Sequence, residues 1–407
     1  MNKNTFFFGQ PIFSQIIGLL PKDKIIQLAK ENNADHYCKK FDTFQHLLTM
    51  SYGVISGCNS LREITTGIVS YGDKLEHCKF SYAPKRSTIS DANTKRDYTI
   101  FEKIYYSLVK HFESDLSDSG TGYFKGKSVF SIDSTTISLF KPIFECVGRK
   151  KNNGKSKGGI KSHQKLSLNM GIPVKVYNGK ASEHDTVFME NEDLINENEI
   201  GILDRAYNKY SQFAEWNLKN KFFVTRLKTN AKEELIEEFE LEPATPDCIL
   251  RDAKIALKYK ENNEEKTVEL RLVSYYDEEK NRAFYFLTNL FDTTPMQIAD
   301  LYRMRWKIEL FFKKLKQNFP LQYFYGDSQN AIQIQIWCTL IVFLLLHVMH
   351  KSLKKKWAFS NMLSLLQKHL FSYIKFNDLF DKIDQIILNF DSVRKKEKYE
   401  MPTFDFT

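Results

Sequence analysis

A single acid inside an apolar, β-branched run limits how this chain can fold more than any other feature. Ser128-Val-Phe-Ser-Ile-Asp-Ser-Thr-Thr-Ile-Ser-Leu-Phe140 reads as a strand, and its one charge is Asp133. Burying that carboxylate is costly without a counter-charge. Either the strand lies at an edge with Asp133 in water, or Asp133 marks a site. A second short strand, Ile200-Gly-Ile-Leu-Asp204, also ends on an acid, and a helix is expected near Asn208. Open α/β sheets place their active sites at strand ends, so Asp204 is the second candidate.

A third acid stands in a helical stretch, Leu301-Tyr-Arg-Met-Arg-Trp-Lys-Ile-Glu-Leu-Phe-Phe-Lys-Lys-Leu-Lys316. On one continuous helix at about 100° per residue, Tyr302, Arg305, Glu309 and Lys316 fall within roughly 60° of one another. Met304, Ile308, Phe311, Leu315 and Phe319 form an apolar stripe roughly 110° away. Arg303, Lys307, Lys313 and Lys314 fill the remaining side. Glu309 is thus a lone carboxylate among basic residues at the edge of a core. That placement suits an acid that binds metal beside a phosphate chain.

The rest of the chain divides by periodicity. Residues 10 to 112 read as helices over Pro11–Glu31, Thr43–Gly57, Ser60–Tyr71 and Ser87–Phe112, with hydroxyl caps expected at Ser60 and Ser87. Lys85 and Arg86 lie at a helix start, a common way to hold a DNA phosphate; a pair of solvated bases is the plainer alternative. Glu113 to Gly122 has linker composition. Strands follow, including a pair over Lys165–Tyr177 with a turn at Asn178-Gly179. From Lys221 to Thr288 the pattern is again β, apart from an acidic stretch, Lys232–Glu242, that reads as a helix. Ile336 to Met349 is the longest apolar segment, shorter than the roughly 20 residues that span a bilayer. It is expected to be a buried helix packed behind the helix of Glu309.

Composition narrows the function. With 59 Lys and Arg against 50 Asp and Glu, the net charge of +9 permits a polyanionic partner without requiring one. The six cysteines are scattered without a Cys-x-x-Cys pair, which argues against a disulfide framework or structural zinc and for a reduced, cytoplasmic protein. The N-terminal apolar run is too short for a signal peptide. The basic loop Arg149–Lys161 resembles a phosphate loop, but five residues rather than four separate Gly148 from Gly154, which excludes a nucleoside triphosphatase reading. The loop is kept as a backbone contact. His184 and Asp185 are a weaker metal-binding pair.

Two strand acids and a helix Glu are the ligand types that hold divalent cations against a phosphodiester, because hard Mg2+ takes oxygen donors. The spacing Tyr-x2-Arg-x3-Glu-x6-Lys, here Tyr302, Arg305, Glu309 and Lys316, resembles the YREK signature of DDE transposases in the insertion sequence 4 family. Ile132-Asp133-Ser134-Thr135-Thr136 is similar to that family's first-acid strand, and Leu203-Asp204-Arg205-Ala206-Tyr207 to its second. Phe286-Leu287-Thr288-Asn289-Leu290 resembles the strand leading into the signature. Gly158–Lys161, Glu183-His184-Asp185, Asn59–Ile64 and Pro84–Asn93 also match, so the likeness runs from residue 10 to about 350.

The resemblance implies an α/β fold: a ribonuclease H-like catalytic core with a β-rich insertion, preceded by an all-helical N-terminal domain. The expected divisions are 1–118 for DNA-end binding, 119–220 for the first part of the core and 221–290 for the insertion. Residues 291–350 would complete the core and 351–407 form a helical C-terminal region. It implies that Asp133, Asp204 and Glu309 bind metal, two Mg2+ ions for which Mn2+ can substitute. Tyr302, Arg305 and Lys316 would hold phosphate. The implied partners are double-stranded DNA, as terminal inverted repeats and target, and a second copy of the chain in a synaptic dimer; the family often forms a hairpin on the excised end. Two alternatives remain, a two-metal nuclease on the same fold and a DNA-binding protein that has lost its chemistry.

Overall fold

The computed structural model describes residues 9–118, 122–138, 148–150, 156–180, 188–189, 191–383 and 385–386. His184, Asp185 and the centre of the basic loop, 151–155, lie outside them. The chain divides into two compact units, one from 1–108, 318–326 and 330–407, the other from 109–317 and 327–329.

The first unit opens with α1 (Ile12–Gly18), α2 (Lys22–Glu31), α3 (Thr43–Ile55), α4 (Leu61–Ser70), α5 (Arg86–Lys95) and α6 (Thr99–His111). Pro21 divides what the periodicity reads as one helix into α1 and α2. Ser60 caps α4 by accepting from the Glu63 amide at 3.2 Å, while Glu63 reaches back to the Asn59 amide at 2.8 Å. Ser87 caps nothing, because α5 already begins at Arg86. The expected helix Ser87–Phe112 breaks at Arg96, whose backbone is extended. Its buried guanidinium is claimed by the Phe41 carbonyl at 2.7 Å, the His46 ring at 2.8 Å and Asp35 at 3.1 Å. Burial, then Arg96, push the His46 ring down to about 3, so it stays neutral between Arg96 and Asn93.

The second unit begins with α7 (Glu113–Leu116) and is dominated by a sheet. Its strands are β1 (Tyr123–Phe124), β2 (Lys127–Ser138), β3 (Gly148–Lys150), β4 (Ser156–Ser167), β5 (Pro173–Lys180), β6 (Glu199–Leu203), β7 (Phe222–Arg226), β8 (Glu233–Glu238), β9 (Ile249–Glu261), β10 (Glu264–Asp277) and β11 (Arg282–Thr288). The order is β3-β4-β2-β6-β7-β11-β10-β9-β8, with β1 beside β2 and β5 beside β4. β6 runs parallel to both β2 and β7, and the remaining pairs are antiparallel. The β4–β5 turn falls at Asn169–Gly171, with Gly171 at φ 70°, and β5 continues through Asn178-Gly179, where a turn was expected.

β7 through β11 extend the same sheet, so the β-rich block shares a core with the parallel strands. Ile132 and Leu203 join Ile255, Leu257, Leu270 and Leu272 of the outer strands, together with Phe213 and Trp216 of α8 (Tyr210–Leu218). The acidic stretch expected as a helix is strand β8. Glu propensity favours a helix, but Glu234 pairs with Lys258 at 2.7 Å and Glu238 with Arg251 at 2.8 Å on β9, and these cross-strand pairs decide the outcome.

The stretch from Leu301 to Lys316 is two helices, α9 (Pro295–Arg303) and α10 (Trp306–Asn318). Thr294 and Gln297 form a capping box at the start of α9. At the junction the backbone tightens to i→i+3 bonds, from Arg305 to Tyr302, Lys307 to Met304 and Ile308 to Arg305. A wheel drawn through all sixteen positions therefore fails at Met304-Arg305. Ile308, Phe311 and Leu315 are still buried on α10, whereas Met304 is half-buried.

The chain then returns to the first unit with α11 (Gln329–Lys351) and α12 (Phe359–His369). α11 is longer than its apolar segment and, by length and composition, could cross a bilayer, but most of it is buried in the protein. Buried Gln335 anchors it, donating to the carbonyls of Tyr323 at 2.8 Å and Pro320 at 3.0 Å and accepting from the Tyr325 amide at 2.8 Å. Such a polar anchor fits a core helix.

Candidate active site

Strand register brings the first two acids together. β2 and β6 pair from Ser128↔Glu199 to Ile132↔Leu203, so the next step places Asp133 beside Asp204. β6 and β7 pair from Ile200↔Phe222 to Ile202↔Val224, and two steps on, Asp204 stands beside Arg226. Arg226 in turn opposes Phe286 on β11. In-register side chains share a face, and strands lie about 4.8 Å apart. Asp133, Asp204, Arg226 and Phe286 therefore form one row across four strands.

The loop after β6 is built to hold Asp204 there. Asp204 caps a single 3-10 turn, Arg205–Tyr207, accepting from the Arg205 amide at 2.8 Å. Buried Tyr207 bonds the His163 ring on β4 at 2.9 Å. Asn208 donates to the Arg226 carbonyl at 2.8 Å and accepts from Thr225 at 3.0 Å. At the far end of β11, Asn289 donates to the Lys221 carbonyl at 2.9 Å and accepts from the Phe223 amide at 3.0 Å, which fixes β11 against β7.

The helix junction delivers the third acid to this row. The Arg305 carbonyl accepts from Ser131 at 3.3 Å, tying the junction to β2. Its guanidinium forks between two carboxylates: Nη1 donates to Asp133 at 2.8 Å, and Nη2 donates to Glu309 one turn along α10. Arg226 pairs with Asp204 at 3.1 Å. Asp133, Asp204, Glu309, Arg305 and Tyr302 are thus brought together, and Arg226 completes the group.

Charge and burial oppose each other at Asp133. Its carboxyl is raised to about 6, first by burial and then by the like charges of Asp204 and Glu309, while the Ser134 amide and Arg305 pull it down. Burial works to lower the Arg305 guanidinium, but Tyr302, Asp133 and Glu309 outweigh it and hold it above its ordinary value. The Tyr302 hydroxyl is raised by burial. Its ring packs on Phe286, with centroids 4.9 Å apart, under Arg226 at 5.7 Å and Arg305 at 5.9 Å. Among the described residues the Tyr302 hydroxyl and the Nε of both arginines are buried without a hydrogen-bond partner of good geometry.

These atoms border a cavity of about 490 Å³. Arg226, Arg305, Tyr302, Phe284, Phe286 and Trp306 line it, and Lys280, Arg282 and Arg303 add positive charge, offset in part by Asp277, which pairs with Lys280 at 2.8 Å. Such a wall accepts phosphate and aromatic groups. Three carboxylates in a half-buried cleft are the oxygen donors a hard divalent cation takes, and their mutual repulsion is what such a cation relieves. The residues fit a metal, although among the described residues they are not gathered into a ready cage. The Arg305 guanidinium stands between Asp133 and Glu309 instead.

Among the described residues, the other sequence candidates share none of these contacts. Lys316 is exposed on α10, two turns beyond Glu309 on the same face, whereas Tyr302 belongs to the other helix. Lys85 and Arg86 are exposed at the start of α5, in the first compact unit. Sequence reading missed Arg226. The signal was present: Phe222–Arg226 is a buried strand ending on a charge, as Ile200–Asp204 is.

The family model described as "Transposase DDE domain" matches residues 124–345, more than half of the chain. A domain family of unknown function matches residues 8–79. A probable transposase for an insertion sequence element of Geobacillus stearothermophilus is 27% identical over 55% of this chain and 57% of its own length. The chain thus spans little more than half of that relative. A putative transposase of Sinorhizobium fredii is 25% identical over 68% of this chain and 75% of its own. One for an insertion sequence element of Synechocystis is 26% identical over 65% and 71%. Among solved structures, a piggyBac transposase synaptic complex with hairpin DNA overlaps 98% of this chain and 81% of that one, at 13% identity and a TM-score of 0.43.

Proposed function

The chain belongs to the transposases with a DDE domain, and from that premise we propose that it is a DNA transposase. It cleaves at transposon ends and joins the freed 3′-hydroxyl to target DNA. The observation that carries the reading is the register that sets Asp133 beside Asp204, with Glu309 joined to them through Arg305. The sheet order β5-β4-β2-β6-β7, with only the β2-β6-β7 part parallel, supports a ribonuclease H-like core.

In this reading Asp133, Asp204 and Glu309 hold two Mg2+ ions, or Mn2+ in their place. The bound cations supply Lewis-acid activation of the attacking oxygen and stabilise the leaving one. The chain's own groups do the rest. Arg226 and Arg305 donate to the phosphates on either side of the scissile bond, in a half-buried cleft where such bonds are strong. Tyr302 supplies a flat apolar wall and a spare hydroxyl donor. Lys316 lies about 10 Å along α10 from Glu309, a reach that follows one strand away from the cleavage point. The match of Tyr302, Arg305, Glu309 and Lys316 to the YREK spacing supports placement in the insertion sequence 4 family.

We further assign recognition of the terminal repeats to residues 1–118, with Lys85 and Arg86 on the backbone. The expected divisions put the core in 119–220 and 291–350, the β-rich insertion in 221–290 and a helical end in 351–407; strand β7, at the start of the insertion range, is assigned to the core sheet, and the stretch from Asn330 on to the first compact unit. The working form is a dimer on paired ends in the bacterial cytoplasm. The test is cleavage of a plasmid carrying the element's flanking repeats. Asp133→Asn should retain end binding in a gel shift and lose Mg2+-dependent cleavage; retained cleavage would remove Asp133 from the site.

A further inference from the structure

We propose that Arg305 is the resident counter-ion of the metal site, so that divalent cations bind the acids fully only when Arg305 has swung away to a phosphate. The proposal rests on the reading of Asp133, Asp204 and Glu309 as metal ligands. It adds a gate that makes metal loading depend on nucleic acid.

Three observations carry it. The first is the fork. Both terminal nitrogens of Arg305 are spent on the two carboxylates that would have to share a cation, Asp133 at 2.8 Å and Glu309. A cation between them competes with that guanidinium, which holds one oxygen of each carboxylate and sets its positive charge between them.

The second is a place to go. Arg305 also borders the cavity lined by Arg226, Phe286, Tyr302 and Trp306. Its guanidinium carbon already lies 5.9 Å from the Tyr302 ring, and its Nε has no hydrogen-bond partner of good geometry. A phosphate in that cavity offers the planar, bidentate partner that a guanidinium prefers.

The third is the hinge beneath it. Arg305 sits where α9 gives way to α10 through i→i+3 bonds, a geometry common at functional bends. Its carbonyl is anchored to Ser131, so the movement required is one of the side chain.

The consequence is reciprocal coupling: phosphate that draws Arg305 away tightens metal binding, and metal tightens phosphate binding by the same factor. A free enzyme kept short of metal is thereby restrained from cutting until DNA is in place.

The experiment is Mn2+ binding to the full-length chain without DNA, read by the loss of the free Mn2+ electron paramagnetic resonance signal. Wild type should bind weakly. Arg305→Ala should bind about tenfold tighter or better, the worth of one charge-assisted hydrogen bond. Arg305→Lys, which keeps the charge but cannot fork across two carboxylates, should shift in the same direction. The double variant Arg305→Ala with Asp133→Asn should lose the gained site, locating it at the acids. Equal affinities in wild type, Arg305→Ala and Arg305→Lys would overturn the gate. That result leaves the reading of the acids standing, since it is judged separately by whether Asp133→Asn abolishes cleavage.

Discussion

Two groupings of arginine with acid at the sheet are built differently. On the outer strands, Arg271 grips Asp252 with two bonds, at 2.8 and 2.6 Å, and spends its third nitrogen on the Leu290 and Thr293 carbonyls at 2.9 and 2.5 Å. Their side chains are 5% and 6% exposed. Against the inner strands, Arg305 from the helix junction and Arg226 from β7 are 15% and 24% exposed, each with an Nε that lacks a hydrogen-bond partner of good geometry, and their acids reach 32% exposure. The outer pair is closed and staples β9 and β10 to the turn before α9. The inner group keeps donors in reserve beside a cavity. Ion pairing alone does not mark a site; here it is joined by unpartnered donors on residues that border a cavity.

Substitution separates the two kinds. The largest effect on activity is expected from Glu309→Gln or Asp204→Asn, which should bring cleavage to background with little change in melting temperature. A variant that fails to fold would instead place that acid among the structural pairs. Arg271→Ala should be the largest effect on stability, about 3–5 kcal/mol by urea unfolding, because it leaves Asp252 buried and unpaired. Arg226→Ala should do the reverse, slowing cleavage about 10²–10³-fold with a melting temperature close to wild type. If Arg226→Ala unfolds the protein while Arg271→Ala is silent, the contrast is wrong.

How much of this could be read from the sequence follows the same division. As candidates, Asp133 was legible because a lone carboxylate in an apolar strand is costly to bury, Asp204 because it ends a short buried strand, and Glu309 because of its spacing from Tyr302, Arg305 and Lys316. The break at Met304-Arg305 was not, since the apolar period runs straight through it and its cause is tertiary: Arg305 is pulled toward an acid 172 positions earlier. Strand β8 was missed for a related reason. Its six residues with four glutamates favour a helix locally, and pairing along β9, where Lys258 and Arg251 meet Glu234 and Glu238, makes them a strand. Arg226 needed the register of β6 and β7, which no single strand reveals.

A smaller effect concerns pH. The Asp133 carboxyl is raised from about 3.8 to about 6 in the folded, metal-free protein, so between those values the folded state binds more protons than the unfolded. Its contribution to stability is full below about pH 4 and is lost as pH rises through 6. Wild type should therefore lose on the order of 2 kcal/mol relative to Asp133→Asn between pH 4 and 7. Parallel melting curves in chelator, with a constant gap between the two proteins, would show that Asp133 is not strained by its neighbours. Smallest of all, Lys316→Ala should lower the slope of log affinity against log salt by about 1, and an unchanged slope would place Lys316 off the DNA.

The central claim is that Asp133, Asp204 and Glu309 jointly hold the cation that drives cleavage, and an exchange of ligand type tests it most directly. In Asp204→Cys a soft thiolate replaces a hard carboxylate, which disfavours Mg2+ and favours softer ions. Cleavage of a plasmid carrying the flanking repeats should disappear in Mg2+ and return in Mn2+, with Asp204→Ala inactive in both. Equal activity of Asp204→Cys in the two metals, or none in either while the protein remains folded and bound to DNA, would contradict a metal-ligand role for Asp204.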